Sequence, residues 1–217
     1  MAAVFTVVLA TSNEGKLAEL RALLRDLPID LVPYREVLGQ RTLPEDGDTF
    51  EANAVQKART VCQLTGLFAL ADDSGLEVDA LGGRPGVRSA RFAQERATDA
   101  ENNAALLRAL EAVEEEEGGR SARFRCVLAL ASPWEVAVRV CEGRCEGTIA
   151  RTPRGSGGFG YDPLFVVDEA QGRAMAELSE AEKNAISHRG RAVRAMRMIL
   201  LETINARLDE AERISSG

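Results

Sequence analysis

The stretch VVLATSNEGKLAEL (7–20) constrains the fold of this chain more than any other. Four apolar residues, Val7 to Ala10, break into Thr11-Ser12-Asn13-Glu14-Gly15-Lys16, and a helical repeat follows with Leu17, Leu20, Leu23 and Leu24 on one face. Strand, short polar turn and helix form the unit from which layered α/β domains are built. The same geometry aims the unpaired N–H groups of a helix start beyond the strand end, a ready cradle for a phosphate. The spacing is not G-x-x-x-x-G-K-[ST], which excludes a Walker loop.

The first half of the chain continues in kind. Strand character covers 4–10, helix 14–26, strand 29–32, helix 49–64 and strand 67–71. The last strand runs into a loop, DDSGLEVDALGGRPGVRSARF, with one short extended piece at Leu76–Val78. Thr98 with Glu101 is a capping box opening the next helix, and EEEEGG (114–119) reads as a solvated charged turn. The second half differs. RFRCVLALA and EVAVRVCEGRCEGTIA read as an antiparallel pair, followed by a glycine-rich segment. Two helices close the chain, one capped by Ser179 with Glu182 and one by Ser187. The expected fold is α/β, a mixed central sheet with flanking helices. It forms a single domain over 1–217 whose two lobes leave a cleft between them.

Composition narrows the function. Net charge is −7, against the basic surface of a dedicated nucleic-acid binder. The N-terminal apolar run lacks a basic flank and is too short for a signal or a membrane span, so a cytoplasmic protein is expected. Cys141 and Cys145 read as reduced thiols on one strand face; with no second pair nearby, zinc is not expected.

Three polar clusters accompany the opening loop. Asp72, Asp73 and Ser74 fall at the end of an apolar strand. They are either a turn serving local backbone or a Mg2+ site, since adjacent carboxylates repel unless a cation or proton separates them. Glu45, Asp46, Asp48 and Glu51 lie upstream as possible partners. GSGGFGYDP (155–163) is either a flexible hairpin loop or a close backbone approach to a flat ligand beside Phe159 and Tyr161. The sole histidine, His188, sits with Lys183 and Arg189 near a helix start, where the dipole disfavours cations. They are either solvated surface groups or the readers of an anion or carbonyl.

In combination these segments resemble the inosine triphosphatase-like family, the XTP/dITP pyrophosphatases that clear deaminated purine nucleotides. The blocks are ATSNEGK (10–16), NAVQKA (53–58), ADDSGLEVDALGGRPGVRSARFA (71–93), FRCVLA (124–129), GFGYDPLF (158–165) and ELSEAEKNAISHRGRA (177–192), in register along nearly the whole chain. The resemblance implies Thr11, Ser12, Asn13, Glu14, Gly15 and Lys16 on the triphosphate. It implies Asp73 as general base and metal ligand, with Asp72 close by as a catalytic neighbour and Ser74 touching substrate. Phe159, Gly160, Tyr161 and Asp162 would form the base-side loop, and Lys183, His188 and Arg189 would read the base. Glu45 would be the second ligand of a Mg2+ ion. Many relatives read F-x-E-N-A where this chain has Phe50-Glu51-Ala52-Asn53-Ala54, so Glu51 is displaced by one position and its part at the metal stays open.

The implied activity is hydrolysis of ITP, dITP and XTP to monophosphate and pyrophosphate by a homodimer, with neither nucleic acid nor membrane as partner. Donors from Lys183, His188 and Arg189 would welcome the C6 oxygen of hypoxanthine or xanthine and oppose the amino group of adenine. Selectivity would vary with pH near the ordinary histidine value of about 6.5. A non-catalytic nucleotide sensor and a pyrimidine-directed pyrophosphatase are the competing readings.

Overall fold

The computed structural model describes residues 5–111, 113 and 119–215. Six strands form one sheet in the order β2-β1-β3-β4-β5-β6. These are β1 (Phe5–Leu9), β2 (Ile29–Pro33), β3 (Phe68–Val78), β4 (Ser121–Ala131), β5 (Arg139–Ile149) and β6 (Phe165–Val167). β2, β1 and β3 run parallel; β4, β5 and β6 are antiparallel to their neighbours. The sheet is mixed, as expected. Among the described residues six α-helices flank it: α1 (Glu14–Leu24), α2 (Tyr34–Leu38), α3 (Phe50–Thr65), α4 (Asp99–Glu111), α5 (Glu180–Ile186) and α6 (His188–Ser215).

Alternation along the strands sorts the core into layers. Val7, Leu9, Leu70 and Leu128 face Leu17, Leu20 and Leu24 of α1 and Ala192, Val193 and Met196 of α6. Val8, Ala69, Ala71 and Val127 face Ala54, Ala58 and Val61 of α3 on the other side. Beyond the parallel half, the long strands project to a third cluster. There Leu76, Phe124 and Cys145 pack with Leu106 and Leu110 of α4 and with Tyr161 and Phe165.

The sequence reading breaks β3 too early. Asp72, Asp73, Ser74 and Gly75 lie inside the strand, because β4 pairs with it continuously from Ala69↔Ala131 to Val78↔Ala122. Local turn chemistry at DDSG yields to this ladder, which satisfies the same backbone groups. β6 and α2 were not anticipated. Both are short, three and five residues, and are held by their neighbours rather than by local pattern. The caps are as expected: Thr98 with Glu101, Ser179 with Glu182, and Ser187 Oγ accepting from the Gly190 N–H. Glu114–Gly118, the charged turn of the sequence reading, lies outside the described residues, as does Val4. Cys141 is half-buried and Cys145 buried on β5, both free thiols. Among the described residues no helix is long and apolar enough to cross a membrane.

Candidate active site

Where β1 and β3 meet the projecting long strands, a cavity of about 410 Å³ opens. Its first wall is the turn between β1 and α1. Asn13 caps α1, its Oδ1 accepting from the Lys16 N–H at 3.0 Å, while Thr11 Oγ1 accepts from the Asn13 N–H at 3.3 Å. The turn is thereby set with the helix start toward the cavity. Thr11, Ser12, Asn13 and Lys16 line it. Glu14 and Gly15 do not: Glu14 is exposed on the first helical turn, where a carboxylate suits the dipole, and Gly15 lies under the Phe159 ring.

The second wall is a carboxylate centre on the α3 side of the sheet. Lys57 Nζ donates to Asp73 Oδ1 at 2.8 Å, to Glu45 Oε1 at 2.7 Å and to the Asp72 carbonyl at 2.9 Å. Asn53, one helical turn before Lys57, donates to Asp73 Oδ2 at 3.3 Å and accepts from the Gly47 N–H at 2.8 Å. Asn53 therefore ties the loop carrying Glu45 to the strand carrying Asp73. Burial pushes the Asp73 carboxyl above its usual value, against the pull of the Lys57 ammonium. Burial alone would weaken Lys57 as a cation, but Asp73 and Glu45 outweigh it and hold its pKa up.

Asp72 belongs elsewhere. Neighbouring residues of a strand point to opposite faces, so the two carboxylates do not share a cation as the sequence suggested. Asp72 is fully buried and absent from the cavity lining. Lys16 Nζ at 2.7 Å and Ser74 Oγ at 2.9 Å donate to Oδ1; Arg189 Nε at 2.7 Å and Cys126 Sγ at 3.2 Å donate to Oδ2. Four donors fill all four lone-pair positions of a carboxylate. Burial would raise its pKa, yet the Arg189 and Lys16 charges hold it well below the usual range.

The third wall is aromatic and basic. Phe159 lies with Lys183 Nζ 5.0 Å and the Arg189 guanidinium 5.7 Å from its ring centre. Asp162 fixes the glycine-rich turn, accepting from the Phe159 N–H at 3.0 Å and from Lys183 Nζ at 2.6 Å. Gly160 N–H donates to Asp99 at 2.7 Å and Tyr161 OH to the Ser89 carbonyl at 2.9 Å. GSGGFGYDP is thus a pinned turn at a ligand-sized cavity, not a free hairpin loop.

His188 stacks on Phe124, ring centres 4.7 Å apart and planes 12° from parallel. Its Nδ1 is buried without a hydrogen-bond partner among the described residues. Burial and then the Arg189 charge drive its pKa well below 6.5, so the ring is neutral at physiological pH. That shift of the His188 ring runs against the expected variation of selectivity near 6.5. The basic cluster is not solvated either, since Lys183 and Arg189 both rest on Glu19, Lys183 at 2.6 Å.

The structure thus gathers Thr11, Ser12, Asn13, Lys16, Glu45, Asp73, Ser74, Phe159 to Asp162, Lys183, His188 and Arg189 around one cavity. Glu51 is exposed and lines a neighbouring depression with Asp48, so it does not join Glu45. Sequence reasoning missed Lys57, Asn53 and Glu19. Lys57 and Asn53 carried a signal, as polar residues on the Ala54/Ala58/Val61 face of an otherwise apolar helix stripe. Glu19, three residues beyond Lys16, carried little.

Among the described residues no group of three or more His, Cys, Asp or Glu side chains is placed to hold a metal ion. Glu45 and Asp73 do converge on one point at the Lys57 ammonium and face the cavity. Two carboxylates completed by water and phosphate oxygens form a donor set suited to Mg2+.

The Ham1 family model matches residues 7–199. A curated dITP/XTP pyrophosphatase of Desulforamulus reducens is 51% identical over 194 residues, covering 89% of this chain and 94% of its own. One of Escherichia coli O157:H7 is 49% identical, covering 88% and 95% respectively. The solved Ham1 protein of Coxiella burnetii superposes with a TM-score of 0.83 at 48% identity, covering 92% of this chain and all of its own. With a family match that runs from within β1 through β6 and takes in every wall of the cavity, this chain belongs to the Ham1 family.

Proposed function

We propose that this protein hydrolyses non-standard purine nucleoside triphosphates (ITP, dITP, XTP and dXTP) at the α–β phosphoanhydride, giving the monophosphate and pyrophosphate. The observation that carries the reading is one cavity with two unlike ends. A helix start, Lys16 and the Asp73/Glu45 pair form one end; an aromatic ring flanked by buried donors forms the other. The curated relatives' names point to the same chemistry.

Phosphoanhydride cleavage demands charge neutralisation and positioning more than covalent help. The α1 N–H groups and Lys16 hold phosphate oxygens. Asp73 takes the proton of the attacking water, and burial has already made it a better base than an exposed aspartate. Lys57 and Asn53 keep it aimed. Glu45 and Asp73 would hold a Mg2+ ion, which supplies charge to the phosphate oxygens. Asp72, its acceptor positions filled, neither holds metal nor takes a proton. At the far end Phe159 stacks on the purine, and Lys183, His188 and Arg189 donate to the C6 oxygen. Adenine sets donor against donor there, a mismatch that leaves buried groups unpaired. A sensor would gain little from the Asp73 and Glu45 carboxylates facing a triphosphate, which favours catalysis.

The chain is taken to act as one domain of two lobes closing on this cavity. Family resemblance supports a homodimer working in the cytoplasm, and solution mass checks the former. The activity test is release of pyrophosphate from ITP, dITP, XTP, GTP, ATP and UTP with Mg2+. Expected are turnover of the deaminated purines, little of ATP or UTP, and loss with EDTA. Orthophosphate as the direct product overturns the bond assignment.

A further inference from the structure

Six ionised side chains form an unbroken series of alternating sign through the site: Asp162, Lys183, Glu19, Arg189, Asp72, Lys16. Successive contacts are 2.6 Å between Asp162 and Lys183, 2.6 Å between Lys183 and Glu19, a short pair between Glu19 and Arg189, then 2.7 Å from Arg189 to Asp72 and 2.7 Å from Asp72 to Lys16. The series joins α1, β3, the glycine-rich turn, α5 and α6. Asp162, Lys183, Arg189 and Asp72 are each at most 7% exposed.

The arrangement has a front and a back. Lys183, Arg189 and Lys16 face the cavity, whereas Glu19 and Asp72 do not line it and stand behind the cations. Each of these two carboxylates is shared by two cations: Glu19 by Lys183 and Arg189, both beside Phe159, and Asp72 by Arg189 and Lys16, one nearer each end of the cavity. In a low-dielectric interior such sharing is a competition. When a ligand oxygen draws Lys183 forward, Glu19 falls to Arg189, and Arg189's hold on Asp72 changes with it. Asp72 in turn sets how tightly Lys16 is held back from a phosphate.

We propose that Asp72 and Glu19 are positioning residues that couple the base end of the cavity to Lys16, so that the identity of the base alters phosphate engagement. Neither carboxylate need touch substrate. The inference rests on the functional reading above, because it takes the Lys183 end as the base end and the Lys16 end as the phosphate end. It assigns to Asp72 the work of an electrostatic link, and to Cys126 and Ser74 the task of keeping that carboxylate in place between its two cations.

A ligand without a base separates coupling from direct contact. Inorganic tripolyphosphate, used as a competitive inhibitor of ITP hydrolysis, has nothing for Lys183 to bind. K183Q should weaken its inhibition constant about fivefold or more in the wild-type background and leave it unchanged in the K16Q background. Removing a charge anywhere near the site acts equally in both backgrounds, so equal shifts in the two overturn the coupling. In a second measurement, D72N should lower the ITP-to-ATP ratio of kcat/KM about tenfold although residue 72 does not line the cavity. ITP and ATP carry the same phosphate charge, which makes the ratio blind to bulk electrostatics. Proportionate losses on both nucleotides, or loss of Tm alone, overturn the link. If D72N does not fold, E19Q read by the same ratio and the tripolyphosphate cycle decides the matter. Should the wild-type enzyme release no pyrophosphate from ITP, it is the functional reading that fails; an active wild type with additive K16Q and K183Q effects refutes the coupling alone.

Discussion

Two adjacent aspartates illustrate how much a single residue's surroundings decide. Asp73 has the Lys57 ammonium and the Asn53 amide against it, and burial raises its pKa. Asp72 has four donors, and their charges depress it. The sign of the stability effect follows. A carboxylate with a raised folded pKa costs the fold stability above its unfolded value of about 3.9. Asp73→Asn should therefore keep or raise Tm at pH 7 while kcat falls about 10²–10⁴-fold, the range for loss of a general base. Pyrophosphate release and a calorimetric melt measure both. Near-normal turnover would move the proton acceptor away from Asp73.

At the scale of elements, the start of α1 and the glycine-rich turn meet at one point. A Cβ on Gly15 would lie 2.5 Å from Phe159 Cδ1, too close for any real contact. Glycine in a first helical turn otherwise costs up to about 1 kcal/mol against alanine, so a packing reason must outweigh propensity. Gly15→Ala should thus gain nothing in Tm and push the Phe159 ring out of place. A loss of about 10–100-fold in kcat/KM on ITP is expected, since misplacement near 1 Å costs on that order. An unchanged kcat/KM with raised Tm would show that the ring is free to move aside without consequence. Lys57 makes the same point from α3. The helix approaches the sheet closely because Ala54 and Ala58 meet Ala69 and Ala71, and the lysine stem then reaches Asp73.

For the whole molecule, burying His188 as a neutral ring ties stability to pH. The unfolded chain takes up a proton near 6.5, and the folded one resists it. Its contribution is present above 6.5 and lost as pH falls below it. The stability difference between wild type and His188→Gln should shrink in the variant's favour from pH 7 to 5.5. A constant difference over that interval would mean that the imidazole titrates normally. ITP-to-ATP selectivity, in contrast, should stay flat from pH 6.5 to 8.

What the sequence by itself determined was local and periodic. The βα opening, the capping boxes at Thr98 and Ser179 and the α/β class were legible from short-range pattern, whereas the roles of the residues round the cavity were legible only through the family resemblance of their motifs. Short-range features depend on backbone groups and side chains within a few positions of each other. Tertiary structure alone decided which partner each charge received. β3 runs through DDSG because β4, some fifty residues away, pairs with it. That pairing sends Asp72 and Asp73 to opposite faces, one toward Lys16 and Arg189, the other toward Lys57. Glu19, a surface-like residue on paper, becomes the counter-charge of Lys183 and Arg189 once α1 packs beside α6. Ionisation and role follow the dielectric and the neighbours of a group, and those exist only when the chain has folded.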